Sequence, residues 1–243
     1  MALNEAEEKG QLLSASLKAA SIIAVLWIVK AIETLLDTSF AFLGILPLQV
    51  KGLKGILFSP LVHGSIEHLI SNSIPFFLLS AALFYYYKSK AWQLLIISWL
   101  MTGLWVWVFA RGNSYHIGAS GVVYALASFH FVSGVIRKEP RLAAFSLLVV
   151  FLYGSFIWGI FPGFAVKERI SWEGHLMGAI AGVVLAFFYR DTGPQKPEYW
   201  SDENEEDDEN IDDTTKDIDN SSQQPPVTYF YREKDGDSIN KPE

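Results

Sequence analysis

The chain has 243 residues, 51% of them hydrophobic and 14% aromatic, with a formal net charge of −7. It has no cysteine, which excludes disulfides, a thiol nucleophile and thiolate metal ligands. Most of the acidic excess sits in one polar stretch, "SDENEEDDENIDDTTKDIDN", so the net charge identifies no partner for the rest of the chain.

In chain order, residues 1–16 are mixed and polar and read as a cytoplasmic N-terminal segment. Apolar runs then dominate from 17 to 190. A bilayer core about 30 Å thick takes about 20 apolar helical residues to cross. Six candidate spans fall at roughly 17–36, 61–87, 91–110, 120–136, 142–161 and 174–190. No small-residue cleavage site follows the first apolar run, so the first span is expected to be retained. The segment 37–60 holds Pro47 and Pro60 and is too irregular for a hairpin connection; interfacial helix is expected within it. The connections "KSK" and "RKEPR" are short and basic, and Pro140 helps end the fourth span. Residues 191–243, rich in Asp, Glu, Asn, Ser and Pro, cannot bury enough apolar surface to offset their chain entropy, so a disordered acidic tail is expected.

Lys and Arg near the span ends set the orientation. Lys9, Lys18, Lys88, Lys90, Arg137, Lys138, Arg141 and Arg190 collect on one side, against Lys51, Lys54, Arg111, Lys167 and Arg169 on the other. The first set is larger and lies in tighter loops. Both termini are therefore expected to be cytoplasmic, with 37–60, 111–119 and 162–173 outside. A soluble helical protein would show polar faces every third or fourth residue. "AAFSLLVVFLYGSFIWGIF" has almost none, and the expected class is an all-α membrane protein, a six-helix bundle.

Polar residues inside such spans are costly and are functional candidates. Three clusters fall at one expected depth: "HGSIEHLISN", "HIGASGVVYAL" and "SWEGHLMGAIAG". In the first, His68 and Asn72 are four apart and share a helix face. Either alone reads as an interhelical hydrogen bond; the pair, level with the other clusters, points to a functional role. His63 is placed one turn further out, near the water interface. In the third cluster, Gly174, Gly178 and Gly182 repeat every fourth residue and allow close helix packing. His175 lies on the stripe with Gly178 and Gly182 and so faces the neighbouring helix.

In the second cluster, Ser120, Tyr124 and Ala127 form a helical stripe. Ser120 alone reads as an N-cap. Beside a histidine that takes its proton, the same hydroxyl becomes a nucleophile, and the resulting oxyanion needs donors. The Ser120 N–H, the Asn72 amide and the His68 imidazole are candidates. His116 is the rival base, but it sits in a loop with no packing stripe to fix it. His130 lies deeper in its span and reads as structural. Neither HExxH order nor paired intramembrane aspartates occur, and "GASGV" is not a GxSxG elbow.

Together these three motifs resemble the rhomboid intramembrane serine proteases, over about 40–190 and in the family's order. The resemblance implies Ser120 as nucleophile and His175 as general base, a dyad without an acid. It implies Tyr124 stacking on His175, and His68 and Asn72 helping the Ser120 N–H hold the oxyanion. Gly118 would give the loop its freedom, and Gly178 would let the fourth and sixth spans touch. Glu173, close to His175 in sequence, points away from it on an ideal helix and is expected to face loop and water. Some members carry a Trp-Arg pair in the first external loop; 37–60 has neither residue, which leaves that loop's shape open. The implied partners are transmembrane-protein substrates and the lipid bilayer, with no nucleic acid, metal or other cofactor, in a bacterial cytoplasmic membrane. The sequence sets no oligomeric state. The competing classes are an inactive rhomboid-like protein that binds client helices and a small transporter, for which the internal repeat is missing.

Overall fold

A computed structural model of the protein describes residues 5–112, 114–152 and 171–193. Helix α1 spans Glu5–Leu35, with Glu5, Glu7 and Glu8 in its first turn, where negative charge suits the helix dipole. The expected N-terminal segment is thus helical from Glu5 and continuous with the first apolar run. Between α1 and the next long helix the chain makes 3-10 turns at Ala41–Leu43, Val50–Gly52 and Ser59–Leu61, and one four-residue helix, α2, Gly55–Phe58. Helix α3, Ile66–Tyr87, begins later than the expected 61, because Ser65 caps it by accepting the His68 N–H at 3.1 Å.

A 3-10 turn at Lys88–Lys90 leads into α4, Ala91–Phe109. Helix α5 is Ser120–Ile136, and α6, Pro140–Leu152, starts on a proline, whose missing N–H costs nothing in a first turn. Helix α7 is Trp172–Phe188, capped by Ser171, whose hydroxyl accepts the Gly174 N–H at 3.2 Å. Two segments, Glu5–Leu35 and Ile66–Phe109 (α3 and α4 with their joining turn), are long and apolar enough to cross a bilayer. The later helices are shorter and apolar. The second half of the expected fifth span, the loop that follows it up to Ile170, and the acidic tail beyond Gly193 lie outside the described residues.

Helix α5 is the centre of the bundle, packed by α3, α4, α6 and α7, while α1 packs on α3. Its inward side chains are buried almost throughout, among them Val123, Leu126 and Phe129. The outer faces of α1, α4 and α7 expose large apolar groups such as Ile28, Ile96 and Phe187. Apolar contiguous surface of this kind suits a lipid environment.

The α5–α7 contact is the tightest. A methyl group at Gly178 would overlap the Gly121 carbonyl, and one at Gly182 would overlap the Ala125 carbonyl and the Ser128 hydroxyl. Ser128 Oγ also donates across the interface to the Ala179 carbonyl at 2.8 Å. Gly178→Val therefore drives the two backbones apart. Overpacking of this type costs about 1–3 kcal/mol, read as a lower thermal unfolding midpoint in detergent; an unchanged midpoint would show that α5 and α7 do not meet at this residue.

Candidate functional site

The residue that caps α5 is Ala119, which makes no side-chain cap bond, and Ser120 is the first helical residue. The N-cap reading of Ser120 is thereby corrected: its hydroxyl is not spent on the helix. Instead Ser120 Oγ lies 2.9 Å from His175 Nε2, 55 residues further along the chain. His175 stands in the first turn of α7, one turn inside the Ser171 cap. Its ring stacks on Tyr124, with centroids 4.2 Å apart and planes 17° from parallel. Tyr124 is one turn beyond Ser120 on the same helix, so one face of α5 presents both the hydroxyl and the platform that fixes the imidazole.

Ahead of Ser120 the chain needs glycine. Gly118 has φ +106°, a left-handed conformation that side chains resist. A Cβ there would also stand 2.7 Å from His68 Cε1, 2.8 Å from His68 Nε2 and 3.8 Å from Asn72 Nδ2. His68 and Asn72 thus face the backbone immediately before Ser120. Asn72 is buried, and one of its amide hydrogens goes to the His68 carbonyl at 3.1 Å. A cavity of about 30 Å³ lies beside Ser120, bordered by Ser59, Thr102, His116, Gly118 and Ser171; that is room for about one water.

Two histidines are placed differently from the sequence reading. His63 is not at the water interface but 1% exposed. Its Nε2 accepts the Ala119 N–H at 3.3 Å and its ring meets that of His68 edge-on, with centroids 5.1 Å apart. His116 is in a loop, as expected, but that loop is fixed. Ile45 and His116 exchange both backbone hydrogen bonds, at 2.9 and 2.8 Å. The His116 ring engages Ser171 at 2.6 Å, while Ser120 is met by His175. His130 is fully buried, with Nδ1 2.6 Å from the Leu126 carbonyl. It lies ten residues along α5 from Ser120, about 15 Å by helix rise. Glu173 is partly exposed.

The family profile for the Rhomboid domain matches residues 51–192. The chain belongs to the rhomboid family. It is 34% identical to uncharacterized proteins of Mycobacterium bovis and Mycobacterium tuberculosis over 173 residues, 69% of this chain and 72% of theirs. A protein of Acanthamoeba polyphaga mimivirus, named as a rhomboid protein, is 28% identical over 131 residues, 52% of this chain and 70% of its own. With its long apolar helices, this rhomboid is an integral membrane protein.

Two charged residues that the sequence pattern alone does not single out brace the loop beside Ser120. Lys30 and Glu33 form an ion pair at 2.7 Å near the end of α1. Lys30 also donates to the His63 carbonyl at 3.0 Å, and Glu33 accepts the Phe40 N–H at 2.7 Å. The available signal was two opposite charges, three residues apart, in an otherwise apolar run.

Burial holds the His116 imidazole below the ordinary histidine range, against an upward pull from the Arg111 carbonyl and from Glu173. A histidine harder to protonate folded than unfolded supports the fold above its unfolded pKa, about 6.5. That support is lost as the pH falls below this value. The thermal midpoint of the wild type is therefore expected to drop more steeply than that of His116→Asn between about pH 7.5 and about pH 5. Parallel curves would show that His116 titrates as freely folded as unfolded.

Proposed function

We propose that this rhomboid is an intramembrane serine endopeptidase that hydrolyses peptide bonds in or near the transmembrane segments of other membrane proteins. The observation that carries the reading is the 2.9 Å approach of Ser120 Oγ to His175 Nε2, with the imidazole held flat against Tyr124. A serine hydroxyl is a weak nucleophile until a base accepts its proton. In this reading His175 takes the Ser120 proton as Oγ adds to the scissile carbonyl, then delivers it to the departing amine. The acyl-enzyme is opened by water, which His175 deprotonates in turn.

The tetrahedral oxyanion forms beside the Gly118–Ser120 backbone. The Ser120 N–H, in the first helical turn, has no intrahelical acceptor. His68 and Asn72, both aimed at that backbone, supply further donors; the second Asn72 amide hydrogen is not used by the His68 carbonyl. Such donors act most strongly in a water-poor site. No metal or other cofactor has a role in this scheme.

Residues 17–190 form a six-span protease domain with both termini in the cytoplasm, and the acidic 191–243 tail follows it. The membrane is the bacterial cytoplasmic one, and the site opens to its outer face, towards which the loop 111–119 lies.

The test is cleavage of a reconstituted transmembrane substrate together with labelling by a fluorophosphonate. Ser120→Ala and His175→Ala each remove more than about 10⁴-fold of the activity, and Ser120→Ala abolishes labelling. Cleavage surviving Ser120→Ala, with no other serine labelled, would refute the nucleophile. No labelling of the wild type in lipid would favour a rhomboid that binds client helices without cutting them. Separately, Asn72→Ala and His68→Ala are each expected to lower kcat by about 10²-fold with little change in KM; equal losses in binding would assign them to substrate contact.

A further inference from the structure

His116 was a rival for the role of base, and its ring points elsewhere, at Ser171. Ser171 is the cap of the helix that carries His175. Its hydroxyl accepts the Gly174 N–H at 3.2 Å and its carbonyl accepts the His175 N–H at 3.2 Å. His116 in turn belongs to the loop that delivers Ser120. The 2.6 Å contact between His116 Nδ1 and Ser171 Oγ therefore joins the nucleophile's loop to the turn holding the base.

The proton positions follow from the neighbours. His116 Nε2 faces the Arg111 carbonyl at 3.4 Å, an acceptor, so Nε2 carries the hydrogen. Nδ1 is then the acceptor and Ser171 the donor. The serine hydroxyl keeps a lone pair for the Gly174 N–H, so Ser171 donates to His116 and accepts from Gly174 at once. A second contact parallels it: the Arg111 guanidinium lies over the Trp172 ring, 5.7 Å from its centroid. Loop residues 111 and 116 thus grip residues 172 and 171.

The loop itself has little freedom to dissipate that grip. His116 is paired with Ile45, the Gly118 N–H donates to the Ser59 carbonyl at 2.9 Å, and the Ala119 N–H donates to His63. His116 and Ser171 both border the cavity beside Ser120. The glycine contacts between α5 and α7 set the distance between the two helix axes. The His116–Ser171 bond adds a tie at the first turn of α7, where a shift of about 1 Å at a reacting pair costs about 10²-fold in rate.

We propose that His116 and Ser171 are a positioning pair: their hydrogen bond fixes the first turn of α7 against the nucleophile loop and so sets the reach of His175 to Ser120. The catalytic consequence rests on the protease reading; the structural coupling does not. His116→Ala and Ser171→Ala are each expected to lower kcat, and the rate of fluorophosphonate labelling, by about 10- to 100-fold, with KM nearly unchanged. The double variant is no slower than the slower single one, because both remove one interaction. His116→Asn places an amide oxygen near the position of Nδ1 and recovers most of the rate. His116→Gln, whose amide sits nearer the position of Nε2, does not. Ser171→Thr keeps both hydroxyl bonds and recovers as well.

Multiplying losses in the double variant, or equal rates for the Asn and Gln variants, would overturn the pair. Hydrogen–deuterium exchange supplies a readout independent of turnover. His116→Ala is expected to speed exchange in both 114–119 and 172–175. If the wild type neither cleaves nor labels, the protease reading fails, and exchange alone decides the pair: acceleration in both segments supports it, acceleration confined to 114–119 refutes it.

Discussion

Everything at the site depends on how closely α5 and α7 approach. Ser120 and His175 are on different helices, and a side-chain hydrogen bond between first turns requires backbones in near contact. Glycine at 121, 178 and 182 makes that possible, since any Cβ at 178 or 182 would collide with a carbonyl of the facing helix. In a lipid environment the attraction between helices comes from packing and hydrogen bonding, because lipid tails are as apolar as the side chains they replace. The stripe that permits the approach is therefore also a main source of its stability, with Ser128 adding one polar tie. In the proposed protease, Ser120 and His175 would react along this seam, where the two backbones nearly touch.

The second constraint is that polar groups in an apolar bundle must find partners. The way they do so explains why the irregular first loop is held as it is. Lys30 and Glu33 would each be costly alone in α1. Together they neutralise one another, and their remaining capacity goes to the His63 carbonyl and the Phe40 N–H. Buried ion pairs often add little net stability, since desolvation offsets the attraction. Their contribution here is geometric: they pin both ends of the 37–65 segment to α1. His63, so fixed, receives the Ala119 N–H, and the order of α1 reaches the residue before Ser120.

Local periodicity made the helical class, the glycine stripe and the pairings within each helix legible, and the resemblance of the three motifs to one family joined Ser120, His175, His68 and Asn72 into one candidate cluster. Helical spacing puts His68 with Asn72, Ser120 with Tyr124 and His175 with Gly178, whatever the rest of the chain does. The residues it did not reveal depend on tertiary placement. Nothing in "HGSIEH" says that His63 turns inward; that follows from the loop between the 3-10 turn at Ser59–Leu61 and the Ser65 cap, which starts the helix at Ile66. Nothing near His116 announces Ser171, 55 residues away. The charges of Lys30 and Glu33 were visible but were absorbed into an apolar average, where a pair of opposite sign leaves little trace.

The two helix starts at the site are built in opposite ways, and the difference follows the chemistry each would perform. Helix α7 has a side-chain cap: Ser171 takes the Gly174 N–H, so the turn that carries His175 is closed and held in one orientation. Helix α5 has none. Ala119 has no side-chain oxygen, so the cap residue takes none of the first-turn N–H groups beside Ser120. A cap at position 119 would compete for those donors with any anion formed there, whereas an uncapped N-terminus is a ready anion site. A base needs a fixed ring and a nucleophile needs open donors next to it. Serine at 171 and alanine at 119 meet those two needs, and exchanging the two residue types would give each helix the start that suits the other.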